Sequence, residues 1–257
     1  MTVYTLESDE FLFLHAIFQS PFAWGVQADF ENEAAEHAAM EAAFEQLQNK
    51  GYVALKEDQL YVQPDLWELL DICTAPDHVL TFTYANAQDE EDLRFLYRRE
   101  QTLVQDRVLP SQAQELQRVE TLLDLARELK EQMQLAEQPQ TQGEAQSIAT
   151  ATLESAQQSA AQGKAIVADK LLQAGVDATT ATSLADVYVA PIANAVLTWI
   201  VPGDEGIATS MIFMESAEGL WEMHALDESQ MQVTPVDAET AWQMLAAFCG
   251  AEAATIE

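Results

Sequence analysis

The side chains that most often do chemistry are present in this chain, but not at spacings that would let them act together. Four histidines, His15, His37, His78 and His224, fall in four different expected elements, and none has a second histidine or a cysteine three or four residues away. A zinc site needs such convergent nitrogens, thiolates or carboxylates, so no metal site is expected. Cys73 and Cys249 sit in the apolar strings Asp-Ile-Cys-Thr and Ala-Phe-Cys-Gly, which reads as buried free thiols rather than a disulfide or a nucleophile. Gly203 with Gly206, and the isolated Gly143, make no phosphate loop, and no G-x-S-x-G elbow is present. Carboxylate pairs such as Asp89 and Asp92 abound, but with 43 acids any spacing occurs, and these read as solvated turn residues. The expectation is a protein with no catalytic residues and no cofactor.

What remains is surface suited to contact. Met211, Phe213, Trp221 and Met223 stand at alternate positions of two consecutive expected strands, with Ile212 and Met214 in between. A strand apolar on both faces is either sandwiched between layers or open to a partner, and methionine and aromatic side chains are the types that adapt to a partner helix. These four are the candidate partner-binding residues. A second reading places an anionic small molecule against Arg94, Arg98 and Arg99, because guanidinium groups suit carboxylate and phosphate ligands.

Charge narrows the field of partners. The 257 residues carry a formal net charge of −32, and no lysine or arginine occurs before Lys50 or after Lys170. Binding nucleic acid requires cations that displace condensed counterions, so neither nucleic acid nor an anionic membrane fits this surface. The N-terminus lacks a basic flank and an apolar run, and no apolar stretch reaches the length of a membrane span, so a cytoplasmic protein is expected. The oligomeric state is left open.

The elements that must position these groups follow from pattern. Ser8 is placed as the cap of a first helix ending at Ser20-Pro21, and a second helix runs from Glu33 to Asn49. Two short strands, Tyr52 to Leu55 and Leu60 to Gln63, flank a polar turn, and Pro64 opens a third helix. Helix, helix, hairpin and helix resemble a winged helix. Its second helix carries Glu33, Glu36, Glu41 and Glu45, so DNA reading is excluded. Strands follow at Val79 to Tyr84, Leu93 to Arg99 and Thr102 to Val104, and then a long helix is expected from Pro110-Ser111 through Leu116, Val119, Leu123 and Met133. After 137–146, which reads as a flexible linker, come a helix from Ile148 to Gln162 and another from Ile166 to Ala174. A further helix is capped by Asp177. Four strands follow, and a last helix is capped by Asp237.

The chain also repeats itself. Leu69, Asp71, Ile72, Ala75 and Pro76 return as Leu184, Asp186, Val187, Ala190 and Pro191, and Val79, Leu80, Thr81 and Phe82 return as Val196, Leu197, Thr198 and Trp199. Leu103-Val104-Gln105 matches Leu220-Trp221-Glu222 in the same order. Val108-Leu109-Pro110 is paired with Val233-Thr234-Pro235 by allowing an eight-residue insertion. A recurring helix, Ala-Pro break and strand imply a duplicated unit. The expected fold is α+β: a duplicated pseudo-two-fold unit with an antiparallel sheet and flanking helices, preceded by a winged-helix-like segment. The boundaries are 1–76 for that segment, 77–136 for the first unit, 137–146 for the linker and 147–257 for the second unit.

This plan resembles the EspG family of type VII (ESX) secretion systems: a winged-helix-like start, two related units of strands ending in a helix, and strand text such as Gly219-Leu220-Trp221 followed by Val233-Thr234-Pro235-Val236. The resemblance implies a quasi-two-fold α/β fold around a central antiparallel sheet. It also implies a cytoplasmic, non-enzymatic chaperone that binds the helical tip of PE–PPE pairs. A helical protein is therefore the expected partner.

Overall fold

The computed structural model describes residues 2–18, 30–88, 90–134, 141–202 and 208–250. Among them are twelve strands and eight α-helices. Ten strands form one large sheet, hydrogen-bonded in the order β1-β7-β6-β5-β4-β9-β10-β11-β12-β8, and β2 and β3 form a separate hairpin. The fold class is α+β, as expected.

The repeat is plain at the level of elements. Helix α3 (Pro64–Thr74) leads into a four-strand meander, β4 (His78–Asn86), β5 (Glu91–Arg99), β6 (Thr102–Val108) and β7 (Gln114–Val119), which ends in α4 (Leu122–Gln132). Helix α7 (Ala178–Val189), strands β9 (Ala193–Ile200), β10 (Ala208–Ser216), β11 (Gly219–Ala225) and β12 (Gln230–Val236), and α8 (Ala238–Phe248) repeat that order.

The separation seen at the Ala-Pro break holds to the end of the chain, because β5 and β6 map onto β10 and β11 and α4 maps onto α8 without an eight-residue insertion. The pairing of Val108-Leu109-Pro110 with Val233-Thr234-Pro235 is therefore corrected. Its cause is a misread element. Residues 114–119 form a strand, not the start of a helix, and α4 begins only after Thr121, whose hydroxyl caps Asp124 N–H at 3.1 Å. Leu116, Val119 and Leu123 fall at helical spacing by coincidence, and a strand with only two apolar residues shows no alternation to contradict it.

The contact map divides the chain into two compact units. Unit 1 comprises 1–81, 92–120 and 200–206. Its core lies where β1 (Val3–Leu6), β5, β6 and β7 present Tyr4, Leu6, Phe95, Tyr97, Val104 and Leu116 to α1 (Ser8–Ile17) and α3, which contribute Phe11, Leu14, Leu66 and Leu70. Strand β1 pairs antiparallel with β7, Tyr4 opposite Leu116, a pairing too long in range for pattern reading to suggest. Ser8 is the first helical residue and not the cap. Glu7 caps α1 in a capping box with Glu10, and Ser8 Oγ donates to the Gln112 carbonyl. The end expected at Ser20-Pro21 lies outside the described residues. Helix α2 (Glu33–Asn49) has the expected bounds and is capped by Asn32. The hairpin, β2 (Val53–Lys56) and β3 (Gln59–Val62), turns through Glu57 and Asp58, both at positive φ as a two-residue turn of this hand requires. Helix, helix, hairpin and helix stand in the winged-helix order.

Unit 2 comprises 82–91, 121–199 and 207–257. Three helices, α5 (Thr150–Gln158), α6 (Lys164–Gln173) and α7, cover one face of β11 and β12 and bury Leu153, Ala156, Val167, Leu171, Leu184 and Val187 against Trp221, Met223 and Val233. Ile148 belongs to strand β8 (Gln146–Ala149), paired with β12, rather than to a helix. A single polar-apolar step before an alanine-rich run offered no strand signal. Asp177 and Asp237 cap α7 and α8 as expected. Hydrogen bonds to Thr180 hold the Asp177 carboxyl below its ordinary value, and those to Thr240 do the same for Asp237. Of the segment expected to be a flexible linker, 137–140 lie outside the described residues, whereas 141–146 are tied down. Thr141 Oγ1 accepts from Leu220 N–H at 2.7 Å, and its hydroxyl lies 2.9 and 3.0 Å from the carbonyls of Leu220 and Val236.

Candidate protein-binding surface

The register of unit 2 decides the fate of the four candidate contact residues. Met214 lies opposite Trp221 and Ile212 opposite Met223, whereas Phe213 lies opposite Glu222 and Met211 opposite His224. Residues opposed in an antiparallel pair share a face. Trp221 and Met223 therefore point one way with Ile212 and Met214, and Met211 and Phe213 point the other way. The helical layer covers the first face: Trp221 is 0% exposed, Met223 is 2% exposed, and Trp221 Nε1 donates to Ser183 Oγ of α7 at 3.3 Å. On the other face Phe213 is 1% exposed and borders a void of only about 10 Å³ with Tyr84, Met133 and Leu220. Met211 alone is half-buried. The structure thus does not bring the four together as an open stripe, and three of them are core.

Glu222 and His224 are paired on the face that Phe213 shares. Glu222 is fully buried, one carboxyl oxygen 2.7 Å from His224 Nδ1 and the other without a hydrogen-bond partner among the described residues. Burial pushes the Glu222 carboxyl up from its ordinary value, and the His224 contact pulls back in part.

The three arginines of the alternative reading are likewise dispersed. Arg94 is buried and grips Asp92, Nη2 to Oδ2 at 2.7 Å, and Arg107 reaches the same carboxylate at 3.2 Å. Arg98 Nε donates to the Glu100 carbonyl, and Arg99, pointing to the opposite face of β5, pairs with Asp71 of α3. Each guanidinium is engaged within the fold, and residues at 94 and 98 on one strand are separated by about 13 Å. No shared anion seat results. Cys73 and Cys249 are buried free thiols whose pKa burial raises, Cys249 to about 12. Among the described residues no group of three or more His, Cys, Asp or Glu could hold a metal, and no helix is long and apolar enough to cross a membrane.

The surface that sequence reasoning passed over is the outer side of α5, α6 and α7. Residues 150–189 contain only Glu154, Asp169, Asp177 and Asp186 as acids and Lys164 and Lys170 as bases, in a chain of net charge −32. Most of these are already engaged: Asp177 as a cap, Lys164 with Asp186, and Lys170 with Ser155. The outward positions are mostly uncharged: Ala151, Gln157, Gln158, Ala165, Gln173, Ala178, Thr179 and Thr182, with Ile166 39% and Leu172 42% exposed and two exposed acids, Glu154 and Asp169, among them. Beside α7 a cleft of about 380 Å³ is lined by Lys164, Thr179, Thr182, Ser183, Asp186 and Glu218 among others. The signal was present in the sequence as a gap in charge, hidden because alanine and glutamine carry little hydrophobic periodicity.

Behind the cleft the backbone is tightly laid. Gly143 (φ +137°) runs over the Trp221 indole, and a Cβ there would meet Cη2 at 2.7 Å; Gly219 (φ +131°) lies against Thr141, where a Cβ would fall 2.2 Å from Oγ1. These contacts fix the 141–144 segment beside the N-terminal half of α7, and Glu144 N–H donates to Thr180 Oγ1 at 3.0 Å.

No protein-family model matches this chain, nor does any curated protein sequence. Its fold does match a solved structure, the type VII secretion system chaperone EspG5 of Mycobacterium tuberculosis in complex with a PE25–PPE41 dimer, with a TM-score of 0.72 over 95% of this chain and 94% of that one. Sequence identity is 13%, so the likeness is one of fold. The expected resemblance to the EspG fold is borne out across nearly the whole chain.

Proposed function

We propose that this protein is a non-enzymatic binding protein of the secretion-chaperone type, and that it holds a helical protein substrate against the outer side of α5–α7. The observation that carries the reading is the charge-poor helical layer, rich in alanine, threonine and glutamine, with Ile166 and Leu172 exposed on either side of Asp169 on an otherwise strongly acidic chain. Small outward residues allow close approach of a partner helix, and the surrounding acids repel anionic competitors while tolerating a neutral or basic rim. The shared fold supports the class of partner, since the EspG5 chain of the matched structure is bound to a PE25–PPE41 dimer. Nothing in the reading requires catalysis: the partner is held and released by contact alone.

The test is co-expression with a PE–PPE pair followed by size-exclusion chromatography with light scattering. A stable complex is expected. Ile166→Asp combined with Leu172→Asp should abolish it while leaving the melting temperature within about 4 °C, since exposed substitutions usually cost no more than about 0.5 kcal/mol each. Persistence of the complex in the double variant would remove this face from the interface, and failure of any such pair to bind would remove the chaperone reading.

A further inference from the structure

Unit 1 contains a second cavity, of about 240 Å³, where the first turns of α3 face β1 and β7; Thr2, Tyr4, Asp65, Glu68, Leu69 and Arg118 line it. Its chemistry is unbalanced in an instructive way. Arg118 is paired with Glu68, so the one cation of the pocket and one of its two carboxylates neutralise each other. Asp65, exposed in the first turn of α3, has no hydrogen bond or ion pair among the described residues. Tyr4 is 2% exposed, its ring set edge-on to Tyr52 with centroids 5.2 Å apart, yet its hydroxyl has no hydrogen-bond partner among the described residues. Burial first, and then the negative charge of Asp65, raise the Tyr4 hydroxyl above its ordinary value, so it remains a neutral group with lone pairs to offer.

An unpaired carboxylate at the cavity and a tyrosine in its wall whose buried hydroxyl is unpaired define a receptor for a hydrogen-bond donor that carries positive charge. The N-terminus of α3 would by itself favour an anion. Asp65 already answers that dipole, Arg118 is already spent on Glu68, and the chain's net charge of −32 repels anions at long range. Leu69, 5% exposed, supplies an apolar wall for an alkyl stem.

We propose that this pocket binds an alkylammonium or guanidinium group, with Asp65 as counter-ion and the Tyr4 hydroxyl as acceptor. Such a head comes either from a lysine or arginine side chain of a protein partner or from a free amine. The inference is independent of the chaperone reading, because it concerns unit 1 and needs no secretion substrate.

The experiment is a titration of the isotope-labelled full chain, followed by amide chemical shifts, with four probes: blocked acetyl-lysine-methylamide, its uncharged norleucine counterpart, 1,5-diaminopentane and inorganic phosphate. Saturable shifts centred on Tyr4, Asp65 and Leu69 are expected with the lysine derivative and not with norleucine or phosphate. Asp65→Asn should weaken binding about tenfold or more, and Tyr4→Phe about threefold, as the loss of a charge-assisted and of a single neutral contact implies. The Tyr4→Phe chain should melt no lower than the parent, because the hydroxyl it removes has no partner to lose. Arg118→Gln, which frees Glu68, should bind the probe more tightly. Tighter binding of the blocked lysine than of the diamine assigns the pocket to a partner's side chain, and the reverse order assigns it to free amines. Equal shifts from norleucine, saturation by phosphate, unchanged affinity in Asp65→Asn, or shifts spread without saturation over the acidic surface would each overturn the proposal.

Discussion

Gly219→Ala should be among the most damaging small substitutions in this chain, and the reason is one threonine. Gly219 has φ +131°, a conformation that L-residues other than glycine rarely adopt, and an added methyl would lie 2.2 Å from Thr141 Oγ1 and 2.8 Å from Thr141 Cα. Backbone strain of this kind costs about 1–3 kcal/mol. The clash with a backbone atom cannot be relieved by a rotamer change, so Thr141 must move away, giving up the hydrogen bond from Leu220 N–H at 2.7 Å and its bond to the carbonyls of Leu220 and Val236. Two lost hydrogen bonds and an orphaned N–H add roughly 2–4 kcal/mol. The total, about 3–7 kcal/mol, is a large fraction of the stability of an ordinary domain. At about 2–4 °C per kcal/mol the melting temperature should fall by roughly 6–28 °C in calorimetry. Thr141→Ala should cost less, and in that background the further change Gly219→Ala should be milder than in the parent, since the clashing hydroxyl is gone. A fall of less than about 2 °C for Gly219→Ala, or strict additivity of the two changes, would show that 141–144 is not held against β11 as described.

Other substitutions test the remaining steps. Trp221→Ala should destabilise by about 3–5 kcal/mol in chemical denaturation, because a fully buried indole and its Ser183 bond are lost; a cost below about 1 kcal/mol would return Trp221 to the surface. Glu222 has its folded pKa raised by burial, so its contribution to stability is fully present below the ordinary value of 4.5 and is lost as pH rises through the raised value. Glu222→Gln, which cannot ionise, should therefore gain stability relative to the parent as pH is raised from 4.5 to neutrality, and a difference independent of pH would contradict the burial argument. Asp177→Ala removes the cap that accepts from Thr179 and Thr180 N–H and should cost about 1 kcal/mol in thermal melts, whereas Asp177→Asn should restore most of it.

Local chemistry was enough to write down much of this fold. Asp177 and Asp237 announce helix starts because a short polar side chain satisfies free N–H groups wherever it stands, and Pro64 opens α3 because it has no N–H to leave unpaired. The hairpin turn at Glu57-Asp58 and the repeated Ala-Pro breaks at 75–76 and 190–191 are equally local, and together they fix a duplicated α+β plan. What the sequence could not decide depends on partners far along the chain. Strand β1 is too short, and β7 has too few apolar residues, to show a period, and they exist because Tyr4 pairs with Leu116 across more than a hundred residues. The candidate contact stripe failed for a related reason. Alternation says that Met211 and Phe213 share a face, as do Trp221 and Met223, but only the β10–β11 register, with Met214 opposite Trp221, assigns the two pairs to opposite sides. Whether a face is covered is settled by what packs there: α5–α7 bury Trp221 and Met223 and leave Ile166 and Leu172 outside. The same holds for the arginines. Their composition suggests an anion site, whereas the pairing of Arg94 with Asp92 and of Arg99 with Asp71 turns them into internal counter-ions. Elements are written in nearest-neighbour chemistry; exposure, and with it the binding surface, is a property of the packed chain.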